Sequence, residues 1–326
     1  MTKNWLLQTP NPPRIPIFYT LTKIQKPKPV GRPIISGCDG PTGRISSFEE
    51  TLLQPIAQKQ QSFIKDRTDV ISFKEKTKIG KDTIFVSMDV SSLYTNIPQE
   101  EGTEIARFLR EMLGLILNET SFQLNGENYL QTHGTAMGTK MAVSFANIFM
   151  AKIETTLIQQ SETKPKEWRR YTNDIFYLWD SDKKDVDQFI EQANKFHPTM
   201  KFTAEISENE IPFLDTVVFK GERVTNESIL DIKTRYKPTE TFQCTHFNSC
   251  HPPGVKKGFI KGEAMRLLRT NSSKTTFEES LIKFKQRLRT RGYPKTVIER
   301  SLSGVNFAAR PSALTQKKKA NERFTS

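Results

Sequence analysis

With 326 residues, 36% of them hydrophobic and 26% charged, the chain is long enough to bury cores in two or three subdomains, and its net charge of +13 makes it strongly basic. No apolar run approaches the length of a membrane span, and the N-terminus has no signal-peptide pattern. Three scattered cysteines, Cys38, Cys244 and Cys250, cannot frame a disulfide scaffold, so a reducing, intracellular compartment is expected. The charge is unevenly placed: between His251 and Arg310 stand fourteen Lys/Arg and four Glu. A block of one sign points to a polyanionic partner, because each phosphate neutralised releases condensed counterions.

Residues 1–40 are dense in proline (Pro10, Pro12, Pro13, Pro16, Pro27, Pro29, Pro33), which forbids long helix and favours extended segments. Two short strands carrying Lys23 and Arg32, joined by a basic loop, are predicted. Such residues ordinarily face water, but a basic pair flanking one turn is also a candidate phosphate grip. Residues 47–62 read as helix. The run from Ile84 to Val90 then reads as a buried strand that ends in a carboxylate, Asp89, with Tyr94 five residues on and Asn96 and Pro98 at the opening of a helix. A carboxylate on rigid strand-end backbone is how phosphate-handling sites hold a divalent metal; capping alone is the plainer alternative.

The segment 99–118 predicts an amphipathic helix with Ile105, Phe108, Leu109 and Met112 on one face. Asn125-Gly126 divides Phe122–Leu124 from Tyr129–Gln131 as a hairpin. The loop Gln131–Thr139 carries Gly134 and Gly138, which let backbone approach a base or sugar closely, and runs into a helix with Ala142, Ala146, Phe149, Met150, Ile153 and Leu157 on its apolar face. His133 reads as a loop histidine. Trp168–Trp179 predicts two aromatic-rich strands folded about Asn173-Asp174, and a meeting of Asp174 with Asp89 at one edge would make a two-carboxylate metal site. Strands follow at 201–206, 211–219 and 229–236. From Pro253 the chain is basic and helical, with Leu281, Phe284 and Leu288 facing a core, and residues 311–326, with Lys317-Lys318-Lys319, predict disorder. Cys244, His246, Cys250 and His251 match no common zinc spacing.

Taken together these residues resemble a known family. A strand aspartate with tyrosine five residues later, a Gly-x-x-x-Gly loop leading into an Ala-Asn helix, and Tyr-x-x-Asp in a hairpin follow the order of right-hand reverse transcriptases. The chain looks most like those of Penelope-like retroelements. The pattern is carried by Phe18-Tyr19-x-Leu21-x-Lys23-Ile24-x-Lys26-Pro27, Arg32-Pro33-Ile34-Ile35-Ser36, Asp89 to Pro98, and Gly134-Thr135-Ala136-Met137-Gly138-Thr139. It continues through Ala146-Asn147-Ile148-Phe149-Met150, Ile211-Pro212-Phe213-Leu214-Asp215, Tyr236-Lys237-Pro238-Thr239 and Ser249-x-His251-Pro252.

The resemblance implies an α+β right-hand polymerase: fingers in 1–80, palm in 81–98 and 131–240, a fingers insertion in 99–130, a helical thumb in 241–310, and a basic tail in 311–326. It implies Mg²⁺, or Mn²⁺, held by Asp89, the Val90 backbone and Asp174, with Asn173 in the catalytic group. Lys23 and Arg32 would meet the nucleotide triphosphate, Tyr94 would stand under the sugar, and Val90, Met137 and Gly138 would line the nucleotide pocket. Lys256, Lys257, Lys261, Arg266, Arg269, Lys285 and Arg289 would hold the template-primer backbone. The implied partners are an RNA template, a DNA primer, dNTPs and a separate endonuclease, with no membrane, and the implied location is nuclear.

Two residues depart from the pattern. Asn173 stands where the family has the first of two adjacent aspartates, which takes one negative ligand from a site that holds hard cations by charge. Val143 replaces a common proline, a change expected to alter only the helix start. With no GIY-YIG endonuclease domain following, a truncated or decayed element copy is expected, either still polymerising or reduced to nucleic-acid binding.

Overall fold

The computed structural model describes residues 14–24, 29–99 and 107–315. These separate into two compact units. One takes in the chain up to Lys65 and from Asp82 to Glu208; the other takes in Asp66–Lys81 and the chain from Asn209 onward.

The first unit is organised on the strand β3 (Ile84–Val90), which lies centrally in a sheet of order β6 (Glu167–Tyr171), β7 (Asp174–Trp179), β3, β8 (Phe202–Ser207), antiparallel throughout. A central strand is covered on both faces, so β3 is apolar at nearly every position: Phe85, Val86 and Met88 are buried. The helix α5 (Ala142–Gln160) contributes the predicted Ala146, Phe149, Met150, Ile153 and Leu157 to the same core, together with Phe145 in place of the predicted Ala142. A second sheet, of order β2 (Val30–Ser36), β1 (Ile17–Lys23), β4 (Ser121–Leu124), β5 (Glu127–Leu130), contains the two predicted basic strands and the predicted hairpin. Its turn places Asn125 and Gly126 at positive φ, 52° and 89°, as a two-residue hairpin turn requires.

Helix α1 (Gly43–Gln58) begins earlier and ends earlier than predicted. Helix α2 (Arg67–Lys76) belongs to the second unit, the short α3 (Leu93–Asn96) follows β3, and α4 spans Arg107–Asn118. The expected Ile105 lies outside the described residues. The buried face of α4 is Leu113, Ile116 and Leu117, one turn beyond the predicted Met112, which is only half-buried. Helix α6 (Lys183–Phe196) packs Val186, Phe189 and Ala193 onto the core.

In the second unit the single strand expected over 211–219 is two, β9 (Glu210–Phe213) and β10 (Thr216–Phe219), paired antiparallel and followed by β11 (Asp231–Thr234). The reversal is Leu214-Asp215, with Leu214 at φ 53° in place of a glycine or asparagine. The short α7 (Glu222–Glu227) links β10 to β11. Helices α8 (Pro253–Thr270), α9 (Lys274–Thr290), α10 (Lys295–Ser301) and α11 (Arg310–Thr315) then share a core of Ile260, Ala264, Leu267, Leu268, Phe277, Phe284 and Leu288. The predicted disorder from 311 is corrected as far as Thr315. Arg310 donates to the carbonyls of Leu268 and Arg269 and pairs with Glu75 at 2.5 Å, which fixes α11. Residues 316–326 lie outside the described residues. No described helix is long and apolar enough to cross a membrane.

Candidate active site

The antiparallel register sets Asp89 directly opposite Asp174. Residues opposed in this way project from the same face, with Cβ atoms roughly 4.5–5.5 Å apart, so the two carboxylates share one edge of the sheet. The turn sits one residue earlier than predicted. Its loop is Thr172-Asn173, and Asp174 is already the first residue of β7. The backbone N–H of Val90 donates to the Asn173 carbonyl at 2.9 Å, and the Asn173 Nδ2 donates to Asp89 Oδ1 at 2.5 Å. Asn173 therefore points its amide hydrogens at the Asp89 carboxylate.

Thr172 holds this turn at φ 58°, a left-handed conformation costly for a β-branched residue. What offsets the strain is Arg170. Its fully buried guanidinium donates to the Thr172 carbonyl at 3.1 Å, to Asn147 Oδ1 and carbonyl at 2.5 and 2.9 Å, and to Glu154 Oε1 at 2.6 Å. Ser62 donates to the other Glu154 oxygen at 2.7 Å. Four of the five guanidinium N–H groups are bonded, and such a buried ion pair is a rigid seat for the turn that carries Asn173.

The edge opens into a cavity of about 380 Å³. Lys23 and Arg32 reach it from β1 and β2, Asp89, Val90 and Asn173 from the sheet, Tyr94 from α3, and Met137 and Gly138 from the glycine loop. Every predicted nucleotide-contacting residue thus lines one space. Asp174 sits across from Asp89 but does not line it. Burial pushes the Tyr94 phenol above its ordinary range, against the opposing effect of Arg32 and with a smaller push from Tyr171, so the ring enters the cavity uncharged.

Gly138 lines the cavity and Gly134 does not, and both glycines also answer to the protein's own backbone. A Cβ at Gly138 (φ 130°) would strike the Ile35 carbonyl, and one at Gly134 (φ 71°) would come within 2.6 Å of the Thr95 carbonyl. These glycines let the loop close on the protein's own backbone, where Ile35 N–H donates to Met137 and Thr135 N–H to Tyr94. Val143 does more than begin a helix: 46% exposed in the first turn of α5, it lines the cavity. Sequence reasoning gave no cavity role to Ile34 or Tyr171, which also line it. Strand alternation supplied the signal for Ile34, two residues after Arg32 and on the same face.

In the second unit, Lys257, Lys261 and Arg289 are exposed and Lys285 is half-exposed. The other predicted backbone contacts are engaged internally. Lys256 donates to the carbonyls of Phe247 and Ser249, Arg266 forms a two-pronged pair with Glu263, and Arg269 donates to Ala313. Helices α8 and α9 are joined by Asn271–Ser273, a three-residue turn held to β11 by bonds from Ile232 N–H to Ser272 Oγ and from Thr234 N–H to Asn271 Oδ1.

This α+β arrangement of antiparallel sheets and helices is a right-hand polymerase fold. Telomerase from Candida albicans, solved in complex with a fragment of telomeric RNA, aligns over 96% of this chain and 62% of its own with a TM-score of 0.58 at 10% identity. The RNA-dependent RNA polymerase of a human picobirnavirus aligns over 92% of this chain and 60% of its own, with a TM-score of 0.57 at 11% identity. The chain spans about three fifths of the length of these two proteins. Within that class the chain belongs to the reverse transcriptase (RNA-dependent DNA polymerase) family, whose model matches residues 42–207. Residues 243–303 match the model of an animal helix-turn-helix domain, in keeping with the short α8–α9 turn. No curated protein sequence matches the chain.

Proposed function

We propose that the chain is the polymerase part of a Penelope-like retroelement reverse transcriptase, acting in the nucleus to extend a DNA primer on an RNA template. The observation that carries this reading is the convergence of Lys23, Arg32 and Tyr94 on the cavity beside the opposed Asp89 and Asp174. In the reaction the primer 3′-oxygen bonds to the α-phosphorus of a dNTP as the bond to pyrophosphate breaks. Lys23 and Arg32 hold the triphosphate, the Tyr94 ring supports the sugar and rejects a 2′-hydroxyl, and Met137 with Gly138 bounds the base. In this reading β1, β2 and the β4–β5 hairpin are fingers, the β6–β7–β3–β8 sheet is palm, and α8–α10 are thumb.

Two carboxylates with carbonyl and amide oxygens are a hard-oxygen donor set of the kind Mg²⁺ accepts, since it is usually bound through one or two carboxylates plus substrate phosphates. Asp89, Asp174 and the Val90 carbonyl would hold it, and when bound it would offset charge on the triphosphate and acidify the primer hydroxyl. Asn173 weakens that set. Its bond to Asp89 favours a second reading, a remnant that binds nucleic acid without polymerising.

Primer extension on an RNA template in Mg²⁺ and in Mn²⁺, comparing the chain with Asn173→Asp and Asp89→Asn, tests both. Extension gained or raised by Asn173→Asp and lost in Asp89→Asn supports the site. Duplex binding without extension by any variant leaves the second reading, and extension that persists in Asp89→Asn overturns the assignment.

A further inference from the structure

Beyond β11 the chain from Arg235 to Cys244 runs along α8 and α9 and encloses a second cavity of about 370 Å³, within the range of roughly 300–1,000 Å³ usual for small-ligand sites. It lies wholly within the second unit. Its walls carry the rings of Tyr236, Phe242, Phe259 and Phe284 and five cations set against three carboxylates, Asp215, Glu240 and Glu263. Phe242 and Phe259 remain 36% and 37% exposed.

The Arg287 guanidinium carbon lies 3.4 Å from the centre of the Phe242 ring and 5.0 Å from that of Tyr236. Two other arginines of the cavity are already neutralised, Arg67 by Asp215 at 2.5 Å and Arg266 by Glu263. Arg287 differs: among the described residues no carboxylate pairs with it. A planar cation clamped on an aromatic face, with its N–H groups unspent, is suited to a phosphate or to the acceptor edge of a base.

We infer that this cavity is a binding site for one unpaired nucleotide, its base stacked on Phe242 or Phe259 and its phosphate taken by Arg287 with Lys237. Stacking needs no sequence, because every base has a π-face, so the site would accept any base. The nucleotide could come from a strand, as a bulge or end of the nucleic acid that the proposed polymerase holds, or from free solution. The strand source alone rests on the proposed function.

The test uses the full chain and a duplex carrying a single bulged 2-aminopurine, against the same duplex fully paired, in EDTA. Tighter binding of the bulged duplex, by about fivefold to a hundredfold, is expected, with a change in 2-aminopurine fluorescence. Phe242→Ala and Arg287→Ala should abolish the preference while affinity for the paired duplex stays, and Arg287→Lys should keep part of it. Competition by free dAMP assigns solution nucleotides to the site as well, and its absence restricts the site to strands. If the folded wild type binds both duplexes alike, or the preference survives Phe242→Ala, Phe259→Ala and Arg287→Ala, the inference fails. If no duplex binds while dAMP binds in a Phe242-dependent way, the pocket stands and the polymerase reading falls.

Discussion

Replacing Asn173 by aspartate should first be visible in stability. The substitution deletes the bond from Nδ2 to Asp89 Oδ1 and sets a second carboxylate against the first. A hydrogen bond to a charged group contributes roughly 1.5–3 kcal/mol, and two unit charges about 4 Å apart repel by about 4 kcal/mol at an effective dielectric near 20. Because Asp89 and residue 173 are only half-buried, solvent screens part of the repulsion, and the metal-free variant should lose about 2–5 kcal/mol against wild type. The loss requires both carboxylates ionised, so it should fade on acidification. It should also be repaid by a divalent cation, which at a hundred times its Kd stabilises by about 2.7 kcal/mol. Urea unfolding in EDTA and along a Mn²⁺ titration reads both effects without any activity. A variant as stable as wild type in EDTA, or equal stabilisation of both chains by Mn²⁺, would refute the argument that residue 173 shares the cation site with Asp89.

Four further outcomes are expected. Arg170→Ala leaves Glu154 buried without its partner and should cost about 3–5 kcal/mol in urea unfolding, whereas Arg170→Met with Glu154→Leu should restore much of it. Burial holds the Lys74 amine down to about 7 despite Asp215 nearby, so the unfolded chain binds the extra proton and stability should rise with pH from about 7 by up to about 1.4 kcal/mol per unit; Lys74→Met should flatten that slope. Glu49, fully buried with neither oxygen hydrogen-bonded, is pushed up to about 7 by burial. There the folded state binds the extra proton, so stability should fall as pH rises from about 4.5 to 7, and Glu49→Gln should remove the fall. In duplex binding, Lys257→Ala, Lys261→Ala and Arg289→Ala should each lower the salt slope by about 0.9, while Lys256→Ala and Arg269→Ala should leave it unchanged and lower stability instead.

What the sequence made legible was whatever follows from periodicity or from a punctuating residue. The apolar run of β3, the stripe on α5 and the Asn125-Gly126 turn each have a local cause, and the ordered motifs carried Asp89 and Asp174 to one edge. Where the cause was tertiary the reading slipped. Leu214 turns the chain in the left-handed conformation, and Asp215 beside it was too weak a signal to split the run. Gly134 and Gly138 could be read as needing space, but which backbone they approach is set by the fold. Charge counting located the basic helices yet could not separate Lys257, which faces solvent, from Lys256, which ties down the loop at Phe247 and Ser249. Arg170 had no sequence signal at all: an arginine in an aromatic strand reads as solvent-facing until Glu154 and Asn147 are known to lie beneath it.

Arg170 also bears on how the Asn173 departure is to be understood. If Asn173 marked the decay of a cation site, the strained Thr172 turn would be expected to loosen first. Instead the strained residue is held by a buried guanidinium with four hydrogen bonds, and Asn173 satisfies Asp89 in a geometry that needs no metal. The edge is rigid, and with Asn173 in its turn it carries two opposed carboxylates, Asp89 and Asp174. Such an edge is one that Asn173→Asp could bring to a three-carboxylate set without rebuilding the backbone, and this is why a single substitution is expected to separate a disabled polymerase from a misassigned one.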